Sequence, residues 1–111
     1  MTELAVDTFR PVGASDAISN AFVVPYYLED RKLRISIARV DGRLYAFDDL
    51  CTCANERCPL SAGLLKGTTI QCQCHGSHFD IMTGEVISGP ATQALHVYDV
   101  QEIAGMVRIQ V

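Results

Sequence analysis

Residues 33–40 read Leu-Arg-Ile-Ser-Ile-Ala-Arg-Val, alternating apolar and polar positions with a period of two. On an extended chain that period puts Leu33, Ile35 and Ile37 on one face and Arg34 and Ser36 on the other. Asp41-Gly42 follows, a pair that readily takes the positive φ angles of a two-residue hairpin, and Leu44-Tyr45-Ala46-Phe47 returns as the partner strand. Short apolar runs of the same kind recur downstream. Residues 68–71 and 78–81 flank a cysteine-rich segment, Thr83-Gly84 turns, and Glu85-Val86-Ile87 continues. Residues 94–100 and 106–111 read as two closing strands around Ala104-Gly105. Residues 14–20 are expected to make one short helical turn with Ser15 as its cap. Tyr26-Tyr27 beside Pro25 are read as strand packing. Many short strands separated by regular turns predict an all-β, antiparallel sandwich or small barrel.

Composition narrows this picture. A chain of 111 residues with an apolar fraction of 49% builds one domain with an ordinary core. A net charge of −4 speaks against nucleic acid, which selects basic faces. No apolar run approaches the ~18 residues of a membrane span. The start, Met1-Thr2-Glu3-Leu4, lacks the basic-then-apolar pattern of a signal peptide. The expected compartment is therefore the cytoplasm, where clustered thiols more often hold metals than form bridges. Five cysteines, an odd number, suit metal ligands plus at most one disulfide.

The chemistry concentrates in two segments. Cys51-Thr52-Cys53 and Cys72-Gln73-Cys74-His75-Gly76-Ser77 stand 18 residues apart, counted between Cys53 and Cys72, and both fall on loops between expected strands. A sheet positions such loops rigidly. Two thiols in one turn and a Cys-x-x-His in the other offer four ligands to a shared centre. Soft thiolates select zinc, copper(I) or iron–sulfur clusters over magnesium or calcium. Cys51, Cys53, Cys72 and His75 are the candidate ligands. His78 is read as a surface or supporting residue, His96 as structural, and Asp48-Asp49 as a solvated turn, with partner docking as its alternative.

The run Cys72-Gln73-Cys74-His75-Gly76-Ser77-His78-Phe79-Asp80, with Thr83-Gly84 and Gly89-Pro90-Ala91, resembles the second cluster-binding loop of Rieske iron–sulfur proteins. The resemblance covers most of the chain: residues 42–49 look like the family strand before the first loop, and Leu95, Tyr98 and Gly105-Met106-Val107-Arg108 like its closing strands. It implies a Rieske-like antiparallel β-sandwich over residues 1–111, with a small cluster-binding subdomain of two loops at about residues 48–91. In the family each loop gives a Cys to one iron and a His to the other of a [2Fe-2S] cluster. Here the first loop reads Cys51-Thr52-Cys53, with Cys53 where the family has His. An alternative register places Cys53 at the family Cys, Asn55 at the His and Cys58 at the later Cys of the disulfide-containing members. Both registers nominate Cys51, Cys53, Cys72 and His75 and differ in which iron holds which Cys.

The resemblance further implies a Cys58–Cys74 disulfide, with two separate thiols or Cys58 as a fourth ligand as the alternatives. It implies that the Ser77 hydroxyl donates to a cluster sulfur. Phe79 stands where family members carry a Tyr that does likewise, and Pro90 belongs to a loop that covers the cluster. Replacing a neutral imidazole by a thiolate adds negative charge, so the potential should fall between that of two-His clusters, about −150 mV and above, and that of all-Cys plant-type clusters, near −400 mV. The implied function is a one-electron carrier, not an enzyme. It would take electrons from a flavin-dependent NAD(P)H reductase and pass them to a terminal oxygenase. Alternatives are an accessory subunit of a larger oxidoreductase, a redox or nitric-oxide sensor, and a structural zinc protein, since three Cys and one His also suit zinc.

Overall fold

The structure, a computed structural model, describes residues 9–52, 58–74 and 76–111. It is nearly all β. The strands are β1 (Phe9–Ala14), β2 (Phe22–Leu28), β3 (Leu33–Val40), β4 (Arg43–Asp48), β5 (Leu64–Lys66), β6 (Thr69–Gln71), β7 (His78–Asp80), β8 (Val86–Ser88), β9 (Val97–Tyr98), β10 (Val100–Ile103) and β11 (Met106–Gln110). Among the described residues they form three sheets of order β1-β11-β10, β2-β3-β4-β9 and β5-β6-β7-β8, and every strand pairing is antiparallel. Among the described residues no helix is long and apolar enough to cross a membrane.

The period of two in β3 sets the layering. Ile35 and Ile37 join Ala46, Val107 and Ile109 in a core against the β1-β11-β10 sheet. Ala38 and Phe47 join Ile70, Phe79 and Ile81 in a second core toward the β5–β8 sheet. The alternation in residues 33–40 therefore marks two covered faces, and Ser36, on the nominally polar face, is fully buried. Asp41 and Gly42 both have positive φ, 51° and 82°, as the β3–β4 hairpin turn requires.

Two expectations are corrected. Residues 94–100 are not one strand: β9 pairs with β4 in the middle sheet, and β10 pairs with β11 in the outer one. The chain changes sheets at Asp99, which a single straight strand cannot do. Residues 14–20 hold only a 3-10 turn, Ser15–Ala17, whose N-cap is Ala14 with no side-chain capping bond. Arg39 instead serves the carbonyls of this segment. Its guanidinium donates to the carbonyls of Ile18 (2.6 Å) and Ser15 (2.9 Å) and pairs with Glu102 on β10 (2.9 Å). One β3 side chain thus ties the middle sheet to the outer one.

β2 is an edge of the middle sheet, and Pro25 lies at its centre opposite Ser36. At the other edge the Tyr98 hydroxyl donates to Asp48 (2.5 Å), and the His96 ring meets Tyr98 edge-on at 4.5 Å. Burial, then Asp48, raises the Tyr98 pKa well above the usual phenol value. His96 is exposed and lies just outside β9.

Candidate metal centre

The second cysteine segment is the tip of the β6–β7 hairpin. Gln71 pairs with His78, the Cys72 N–H donates to Ser77 (2.8 Å), and the Gly76 N–H donates back to Cys72 (2.9 Å). Gly76 has φ 79°, which allows this tight reversal without a β-carbon penalty. The first segment leaves β4 and is closed at its neck. Leu50 bridges Pro59, and the Cys51 N–H donates to the Cys58 carbonyl (2.9 Å).

Four of the five cysteines lie within the described residues. Cys51 and Cys72 are buried, at 6% and 0% exposure. Cys58 and Cys74 are joined in a disulfide that ties the first loop to the second. A sulfur in that bond is no thiolate, so Cys58 is not the alternative fourth ligand. The Cys72 sulfur lies within 4.8 Å of both bridge sulfurs. Cys53 and His75, the other two candidate ligands, and Asn55 lie outside the described residues.

A third segment grips both loops. The Ala91 N–H donates to the Ser77 hydroxyl oxygen (3.0 Å), and the Thr52 hydroxyl donates to the Gln93 carbonyl. This segment begins at a cis Gly89–Pro90 peptide. Ser77 is fully buried, and a hydroxyl that accepts through oxygen still has its hydrogen to donate. Phe79 is fully buried in the same core as Cys51, Cys58 and Cys72. His78 turns aside to Ser88 (2.8 Å).

The Asp48-Asp49 reading is overturned. Asp48 belongs to β4, and Asp49 is fully buried. The Asp49 carboxylate accepts from Ser36 (2.5 Å), from the Ser61 N–H (2.7 Å) and from Arg34. No local pattern flags such a residue, because its partners are 13 and 15 positions upstream and 12 downstream. The covering loop was expected from Gly89-Pro90-Ala91, but its contacts through the Ala91 N–H and from Thr52 to the Gln93 carbonyl escaped notice, since backbone partners leave no side-chain signature.

The donor chemistry suits an iron–sulfur cluster: buried soft thiols, a buried hydroxyl with its hydrogen to give, and a dry apolar wall. Known proteins agree. The Rieske [2Fe-2S] domain model matches residues 8–99. The ferredoxin component of the naphthalene 1,2-dioxygenase system of Pseudomonas putida is 37% identical over 98 residues, covering 88% of this chain and 89% of that one. The Sphingomonas yanoikuyae B1 ferredoxin superposes with a TM-score of 0.83 at 27% identity, over 93% of this chain and 98% of that one. A chain from the complex of reduced oxygenase and oxidized ferredoxin in carbazole 1,9a-dioxygenase matches with a TM-score of 0.82 at 28% identity, over 93% of both. Its cofactor is thus a [2Fe-2S] cluster, its role electron transfer rather than catalysis, and the chain belongs to the Rieske [2Fe-2S] family.

Proposed function

We propose that this chain is a ferredoxin that takes single electrons from a flavin-dependent NAD(P)H reductase and delivers them to a terminal oxygenase. The observation that carries the reading is the pair of facing loops, with buried Cys51 and Cys72 and a disulfide between their flanks. The dioxygenase systems named for the relatives, together with the match to a chain of an oxygenase–ferredoxin complex, support the oxygenase as acceptor. Thiol ligation and the lack of any long apolar helix among the described residues are compatible with the cytoplasmic setting we include in the proposal.

Three thiolates and one imidazole, from Cys51, Cys53, Cys72 and His75, are the proposed ligand set, in one domain whose loops span about residues 48–91. When bound, the cluster stores and releases one electron. The protein's own part is to keep water from the buried thiols, to hold the two loops together through Cys58–Cys74, and to present a hydroxyl hydrogen from Ser77. With one His ligand, the potential is expected to respond to one proton at high pH.

The test is electron paramagnetic resonance of the dithionite-reduced protein with iron and sulfide analysis. A signal intermediate between two-His and all-Cys clusters, with one acid-labile sulfide per iron, is the expected result. Colourless protein holding zinc would overturn the proposal. The disulfide favours a second reading, a small subunit of a larger oxidoreductase. A monomer on size exclusion that reduces a purified oxygenase component excludes it.

A further inference from the structure

We propose that Asp49 is a positioning residue for the first cysteine loop, a buried side chain whose hydrogen bonds clamp both limbs of the loop to the middle sheet. The inference deepens the proposed function and rests on that reading for its meaning.

Burying a carboxylate is costly, and replacing a buried ion pair by apolar side chains is often neutral or stabilising. Stability alone is thus a poor reason for a fully buried Asp49, whose partner Arg34 is 42% exposed. The geometry points to a different role. Among the described residues, every hydrogen bond of Asp49 goes to one of two elements. On β3 it is held by Arg34 and Ser36: its N–H donates to the Arg34 carbonyl (3.0 Å), Oδ2 accepts from the Arg34 side chain, and Oδ1 accepts from the Ser36 hydroxyl. The other element is the 3-10 turn Leu60–Ala62, which follows the loop. There the Asp49 carbonyl accepts from the Leu60 N–H, and Oδ1 accepts from the Ser61 N–H.

Asp49 precedes Cys51 by two positions, and Ser61 follows Cys58 by three. The residue therefore sits at the root of the loop and joins its outgoing and returning limbs to the same strand. Oδ1 is shared between Ser36 on the sheet and Ser61 beyond the loop, so a single atom sets their separation. Because Cys58 is bonded to Cys74, the clamp reaches the second loop as well. Neighbouring Asp48 points to Tyr98 and takes no part.

Asp49→Ala and Asp49→Asn separate this role from simple fold stability. Asn keeps an oxygen for Ser61. In metal-free protein, the Leu60 and Ser61 amides of Asp49→Ala should exchange hydrogen about tenfold faster than wild type, with β3 unaffected. In loaded protein, Asp49→Ala should lose iron to a chelator several-fold faster and shift the g-values of the reduced signal, while Asp49→Asn restores both. Wild-type exchange and iron retention in Asp49→Ala would overturn the proposal, as would Asp49→Asn as impaired as Asp49→Ala. Should Asp49→Ala not fold, Ser36→Ala carries the test. It removes the hydroxyl that orients Oδ1, so faster Ser61 exchange is expected, and wild-type exchange overturns the proposal. Wild-type protein that takes up no iron would defeat the function reading and leave the amide-exchange result standing on its own.

Discussion

Ser77 has no contact with solvent, and its oxygen already accepts the Ala91 N–H, so the direction of its remaining hydrogen is constrained. Ser77→Ala should lower the reduction potential through the lost donor. It should also cost about 1–3 kcal/mol, because it strands the N–H of buried Ala91. Voltammetry and denaturant unfolding read the two effects separately. Phe79→Tyr is the complementary change: a hydroxyl introduced into the core that holds Cys72 should raise the potential, measured by protein-film voltammetry. At this scale the sequence was partly legible. Ser77 and Phe79 could be named because the resemblance assigns positions to them. Asp49 could not, since a carboxylate next to another carboxylate reads as solvated unless Ser36 and Ser61 are known to face it.

Elements were easier to read than their partners. The Asp41-Gly42 hairpin and the β6–β7 hairpin follow from local turn chemistry and short apolar runs. β3 was recognised as a strand, yet its polar face turned out to be covered, because a period of two reports facing and not what lies opposite. The split of residues 94–100 between β9 and β10 was invisible for the same reason: sheet membership depends on distant strands. Gly84 shows how an element can depend on one missing atom. A β-carbon there would lie 2.1 Å from the Leu95 carbonyl oxygen, and φ is +85°. Gly84→Ala should cost more than about 2 kcal/mol, since backbone cannot yield and the left-handed conformation is strained. Leu95 leads on from the segment that binds Thr52 and Ser77, so the same variant should shed iron faster, followed by the bleaching of its visible colour.

Over the whole molecule, Arg39 couples the middle and outer sheets through Ser15, Ile18 and Glu102. Its hydrogen bonds, then that of Ser15, hold the Glu102 carboxyl below its ordinary range, and Arg10 does the same for Asp30. Both carboxyls bind a proton less readily folded than unfolded. Their stabilisation is therefore complete above the ordinary carboxylate range and is lost as pH falls through the folded values. Glu102→Gln should flatten the fall in Tm below about pH 4.5, and added salt should shrink the difference, because these groups are solvent-accessible. The all-β class was legible at this scale because turn residues recur at short intervals. The arrangement of three sheets was not, because it rests on pairings between strands far apart in the chain, β1 with β11 and β4 with β9.

Pro25, at the middle of edge strand β2, has no N–H to offer a neighbour. Among the described residues this border is open, and a second chain approaching it would meet a gap in the ladder of donors, which disfavours strand-by-strand growth into fibres there.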